Sequence, residues 1–163
     1  MKHILGSLFF NICIEEDILK NMQPFHLAFP VNDITEAKNW YTKVLGCSLG
    51  RESERWIDFN FFGHQISAHL DQKESFSIGT NDVDGDNIPV RHFGLILDWN
   101  EWQELSKKLI SENIKFIVKP QIRFEGRVGE QATMFLSDPS GNVLEFKSFR
   151  DPNDIFRTDM EIY

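Results

Sequence analysis

A repeat constrains this chain more than any other feature. Residues 24–31, PFHLAFPV, align with residues 90–97, VRHFGLIL, and a His stands third in each. Both are short apolar runs bounded by turn-forming or polar residues, which read as strands. Each is followed by a helix. In the first copy Asp33 is the N-cap candidate, with Glu36 at the capping-box spacing. Ala37, Trp40, Tyr41, Val44 and Leu45 then recur at helical spacing until Gly46. In the second copy Asn100 is the expected cap, with Gln103 three residues on, and Trp102, Leu105, Leu109 and Ile110 form the apolar stripe. The pattern then changes to that of strands: 47–51, 55–62 and 65–71 in the first copy, with a turn at Gly63, and 115–119, 131–137 and 142–149 in the second. SDPSGN at 137–142 is dense in turn formers. The chain therefore reads as two β-α-β-β-β modules, 24–71 and 90–149, joined by a polar linker at 72–89.

At 163 residues the two modules make one domain of about 23–150, large enough to fold without disulfides or structural metal. A net charge of −8 argues against a nucleic-acid or anionic-membrane surface. Fifteen Phe suggest a β-rich core or an aromatic-lined pocket. Cys13 and Cys47 match no zinc spacing and read as reduced thiols of a cytoplasmic protein. Residues 1–22 read as an extension outside the domain. Their apolar run, Ile4 to Ile14, is too short to span a bilayer and lacks a signal-peptide cleavage site. We read residues 1–21 as a product of an upstream start codon, with a short packed helix as the alternative. The tail, 151–163, has mixed charge and is expected to cover an edge or to pack on a second subunit.

Two β-α-β-β-β arms of this size, each opening on an apolar strand, resemble the vicinal oxygen chelate superfamily of glyoxalase I, extradiol dioxygenases and bleomycin-resistance proteins. The resemblance covers about residues 24–149. It implies an α+β fold in which two βαβββ modules form a cupped eight-stranded mixed sheet. The helices lie on the convex side, and a metal or ligand lies in the cup. It also implies a small-molecule substrate and a homodimer.

Strand alternation assigns faces. Phe25, Leu27 and Phe29 share one face and His26 and Ala28 the other; Phe93, Leu95 and Leu97 share one face and His92, Gly94 and Ile96 the other. The apolar faces suit the helix layer, so both His point into the cup. Glu145 stands mid-strand between Leu144 and Phe146, where a carboxylate is costly to bury unless paired or bound to metal. Two His and one carboxylate on one side of a cation is the arrangement of non-haem Fe(II) oxygenases. His26, His92 and Glu145 also match, one by one, the metal ligands of the extradiol dioxygenases. A divalent metal is expected, Fe(II) first, with Mn, Zn or Ni as alternatives.

Glyoxalase I carries a fourth ligand, in the last strand of its first module. Counted from the turn glycines, the counterpart of Glu145 (Gly141 plus four) is Ser67 (Gly63 plus four), a poor ligand. This favours a three-ligand site. His69 has the parity of Ser67 and is the candidate acid/base group or displaced fourth ligand, with a hydrogen-bonded structural His as the alternative. His64 has the opposite parity and is expected to face outward or to cap the turn, and His3 is given no role. Asp58 and Asn60 share a face with Trp56 and line the cup if that face is the inner one. DVDGDN at 82–87 fails as a calcium loop, because Asn87 stands where Gly is needed and Phe93 where a Glu is needed. Segment 120–130 is an exposed hairpin or a flap carrying Arg123 and Arg127. The leading reading is an extradiol-type dioxygenase of a catechol-like or other vicinal-oxygen substrate. The alternatives are a glyoxalase-like isomerase or lyase and a metal-free binding protein.

Overall fold

The computed structural model describes residues 23–71, 79–83 and 86–158. The extension (with His3 and Cys13) and residues 159–163 lie outside them. The first module runs β1 (His26–Val31), α1 (Ile34–Lys43), β2 (Ser48–Glu52), β3 (Trp56–Phe61) and β4 (His64–Leu70). The second runs β7 (Phe93–Ile96), α2 (Trp99–Ser111), β8 (Phe116–Arg123), β9 (Gln131–Ser137) and β10 (Val143–Phe149). The α+β class and the two βαβββ modules are present. Their eight strands hydrogen-bond as two mixed sheets, ordered β1-β4-β3-β2 and β7-β10-β9-β8. In each, the opening strand lies parallel to the last one, which its crossover helix requires.

The segment read as a linker is not featureless. It contains an antiparallel hairpin, β5 (Thr80–Val83) and β6 (Asp86–Pro89). Its polar composition concealed this, because only Ile88 and Pro89 among its described side chains turn inward. The cap of α2 also differs from the sequence expectation. Asp98, not Asn100, caps it: its carboxylate accepts from the Asn100 N–H, and the Glu101 side chain returns to the Asp98 N–H. That reciprocal box starts the helix at Trp99. Asp33 caps α1 as its spacing predicts, and Gly46 (φ +76°) follows the helix in the left-handed region.

One core joins both modules. Phe29, Val31, Tyr41, Ile57, Phe59 and Ile66 of the first pack with Leu97, Trp102, Leu109, Met134, Leu144 and Phe146 of the second. Strand parity holds: Phe93 and Leu95 pack against this core, while Gly94 and Ile96 are exposed on the opposite face. Polar ties cross the seam. Asp138, in the β9–β10 turn, accepts from Tyr41 Oη (3.1 Å), Asn142 Nδ2 (2.8 Å) and the N–H groups of Ser140 and Asn142. Burial pushes the Tyr41 hydroxyl well above its ordinary range, and the Asp138 charge adds to this. The Asn142 amide also donates to the Pro30 carbonyl across the seam (2.9 Å), and within the second module Trp102 Nε1 donates to the Phe146 carbonyl (2.9 Å). Each such group left buried without a partner would cost about 1–3 kcal/mol, so the Tyr41–Asp138 and Asn142–Pro30 bonds fix the mutual position of the sheets. Cys47 is buried, and desolvation pushes its thiol up to about 12, which makes it inert at neutral pH.

The 120–130 segment is partly strand. β8 runs to Arg123, and 124–130 is a loop tied down by Gly126 N–H to Glu130 and by Gly129 N–H to the buried Asp154 of the 3-10 turn Pro152–Asp154. The tail thus packs on this loop, while Phe156 is exposed. Among the described residues no helix is long and apolar enough to cross a membrane.

Candidate functional site

Each sheet turns one face to the core and the other outward. On the first sheet the outward face carries His26, Ala28 and Pro30 of β1, Gln65, Ser67 and His69 of β4, and Trp56, Asp58 and Asn60 of β3. The face bearing Asp58 and Asn60 is therefore the inner face of the expected cup. Asp58 is buried and engaged. Its carboxylate accepts from Ser67 Oγ (2.6 Å), Gln65 Nε2 (3.2 Å) and Arg51 (3.3 Å). Ser67, where the fourth ligand was sought, is a donor to this acid. His69 lies beside Trp56 and Pro30 in register. His64 accepts the Phe25 N–H at Nδ1 (3.0 Å) and so caps the start of β1.

The second sheet differs. Parallel pairing of β7 with β10 sets Gly94 opposite Glu145. A Cβ on residue 94 would overlap the Glu145 carbonyl, so glycine lets the strands meet there. His92 immediately precedes β7. Its Nδ1 donates to the Pro89 carbonyl (2.7 Å), and its Nε2 lies 3.3 Å from Glu145 Oε2. A carbonyl only accepts, so Nδ1 carries a proton and the imidazole presents Nε2 to the acid. The ring edge rests on Phe135, with centroids 5.2 Å apart. The other carboxylate oxygen accepts from the buried Thr133 hydroxyl (2.8 Å) and lies 3.7 Å from Lys147 Nζ. The hydrogen bond to Glu145 raises the His92 pKa, against a smaller opposing effect of burial. For Glu145, burial alone would raise the pKa; the bonds from His92 and Thr133 and the Lys147 charge outweigh it and hold the carboxyl below its ordinary value. The β5–β6 hairpin covers the adjoining part of this face, where Ile88 packs with Val118, Phe135 and Val143. A cleft of about 180 Å³ opens beside His92 along the seam, lined by Ala28, Pro30, Arg91 and Val143 among others.

Of the expected ligands, the fold brings His92 and Glu145 together. His26 is exposed on the first sheet, and among the described residues no group of three or more His, Cys, Asp or Glu is placed to hold one metal ion. The pair itself fits a divalent cation. Two donors at about 2.0–2.2 Å from one ion stand roughly 3 Å apart. A His whose other nitrogen is fixed by a carbonyl, and a Glu fixed by a hydroxyl, are the outer support such ligands need. Thr133, Lys147 and Pro89 were not picked out from sequence. Lys147 had a signal, two residues past Glu145 on the same strand face. Thr133 had none, because cross-strand register is not written in one strand.

The sequence pattern of the Glyoxalase/Bleomycin resistance protein/Dioxygenase superfamily matches residues 23–146. A structure of a glyoxalase/bleomycin resistance protein/dioxygenase from Alicyclobacillus acidocaldarius is 34% identical, with a TM-score of 0.70, covering 82% of this chain and 96% of that one. Two more distant structures share the fold. Lactoylglutathione lyase from Agrobacterium tumefaciens is 15% identical, with a TM-score of 0.55, covering 77% of this chain and 92% of its own. Fosfomycin resistance protein FosX from Listeria monocytogenes is 12% identical, with a TM-score of 0.57, covering 82% and 97%. No curated protein matches significantly. The repeat, the paired modules and these matches agree, and the chain belongs to the Glyoxalase/Bleomycin resistance protein/Dioxygenase superfamily.

Proposed function

We propose that this chain is a metal-dependent enzyme of its superfamily, acting on a small substrate through vicinal oxygens, and that its reaction is of the extradiol dioxygenase type. The observation that carries the metal reading is the convergence of His92 Nε2 and Glu145 Oε2 at 3.3 Å, each fixed from behind by Pro89 or Thr133. A divalent cation held by this pair supplies Lewis acidity and, as Fe(II), a redox-active position for oxygen. His92 and Glu145 hold it, Thr133 orients the carboxylate, and Phe135 and Ile88 exclude water from one side. Ser67, engaged by Asp58, favours this reading over a four-ligand glyoxalase-like site.

The third ligand, His26, stands at the position in the first module that His92 occupies in the second. His26 is in register with the residue two past Gly63, and β7–β10 pairing carries His92 to the residue two past Gly141. It is exposed on the same sheet face as His69. We propose that a homodimer completes the site, one chain giving His92 and Glu145 and the other giving His26, with His69, farther along the same sheet face, as the proton-handling group. Anaerobic metal analysis of untagged protein tests the metal. About one Fe per chain, lost in His92→Ala, supports the reading; no uptake on reconstitution overturns it. Mixing His26→Ala chains with His92→Ala chains tests the dimer. Mixed dimers regain a complete site if the ligands come from two chains, and regain none if they come from one.

A further inference from the structure

We propose that Lys147 makes the His92–Glu145 site selective for ligands that carry an anionic oxygen beside the metal-binding atoms. The inference rests on the metal reading above but concerns a different residue. β10 turns Val143, Glu145, Lys147 and Phe149 to the same face. Lys147 Nζ lies 3.7 Å from Glu145 Oε1 and 5.6 Å from the centre of the Phe149 ring, with its side chain only 30% exposed. The ammonium is therefore held over an aromatic face, on the carboxylate oxygen that His92 does not use.

Among the described residues, His92 and Lys147 are the groups set against Glu145 at this site. A divalent cation held by His92 and Glu145 would place its charge beside the Lys147 ammonium, with the Glu145 carboxylate between them. A permanent cation next to a metal centre weakens metal binding unless the ligand that follows is anionic. Lys147 then makes a charge-assisted contact with that ligand as the metal takes its oxygens. The ligand class is a small bidentate oxyanion, a carboxylate or enolate oxygen next to a second oxygen, rather than a neutral diol. The first module carries an imidazole at the same count from its turn glycine, His69 at Gly63 plus six, where the second carries Lys147 at Gly141 plus six.

Calorimetry on the full chain tests this, with Mn²⁺ alone and then with oxalate as the oxyanion probe and ethylene glycol as the neutral one. Oxalate is expected to bind the Mn²⁺-loaded protein and ethylene glycol is not. Lys147→Met is expected to weaken oxalate about 10- to 100-fold, the range of a hydrogen bond to a charged group. Lys147→Arg restores most of it. Mn²⁺ itself is expected to bind Lys147→Met as tightly as wild type or more tightly, because a like charge has gone. A Lys147→Met protein that binds Mn²⁺ and oxalate as wild type does overturns the inference and leaves the metal reading intact. Parallel loss of Mn²⁺ and oxalate also overturns it, since Lys147 then only supports Glu145. If wild type takes up no Mn²⁺, the metal reading fails; loss of oxalate binding to the metal-free chain in Lys147→Met still upholds the role of Lys147.

Discussion

The inner faces of the two sheets are built on one register and used in opposite ways. Four residues past each turn glycine stands Ser67 in one module and Glu145 in the other. Across the antiparallel pair, Ser67 faces Asp58 and Glu145 faces Phe135. Both sheets thus hold one carboxylate near this row, but on different strands. In the first module the acid is on β3 and is closed off by Ser67, Gln65 and Arg51. In the second it is on β10, supported by Thr133 and aimed at His92. Moving the acid by one strand converts a structural network into the pair proposed to hold the metal.

The comparison breaks most sharply at the row of Ala28 and Gly94, which pair with Ser67 and Glu145. Gly94→Ala must push β7 off β10 at Glu145, costing about 1–3 kcal/mol and weakening cation uptake. Ala28→Gly is expected to cost only about 0.5–1 kcal/mol, with cation uptake unchanged. Urea unfolding and Mn²⁺ titration of both variants check this. Equal effects would remove the asymmetry. Ile88→Ala frees the hairpin, at about 2 kcal/mol. It also weakens Mn²⁺ about tenfold, because the Pro89 carbonyl no longer fixes His92. Asp58→Ala leaves Ser67 without its acceptor and costs about 1–3 kcal/mol in urea unfolding, with Mn²⁺ affinity unchanged. Loss of affinity there would show that the first network serves the second site.

The pH dependence follows from the pair. The His92 pKa is raised above 6.5, so at low pH the imidazolium keeps the proton that a cation must displace; Glu145, held below 4.5, remains a carboxylate. Mn²⁺ affinity should therefore rise as pH increases through the raised His92 pKa and level off once His92 is neutral. A flat profile would mean that Nε2 is not a ligand. The smallest effect is expected at His69. His69→Gln should leave Mn²⁺ affinity within about twofold, because His69 is proposed to move protons rather than to bind the ion. A large loss would make it a ligand.

Strand parity and the turn glycines made the modules legible, because the core consumes one face of each strand and the pattern records which. The same parity put His26 and His92 at equivalent positions. It did not say that they lie on separate sheets, since equivalence under a repeat is not proximity. The α2 cap was misplaced by two residues because Asp98 and Asn100 are both good caps, and only the reciprocal bond with Glu101 selects Asp98. The hairpin was read as a linker because its buried Ile88 takes its partners from β8, β9 and β10.

By itself, then, the sequence determined the repeat, the two modules, the family and the surroundings expected of His92 and Glu145. All of these depend on spacing along one strand or one helix. The tertiary structure decided that Glu145 is supported by Thr133 and Lys147, that Pro89 fixes His92, that Asp58 closes the first face and that His26 stands apart. Those facts depend on cross-strand register and on how two sheets pack over one core, and no local pattern encodes either.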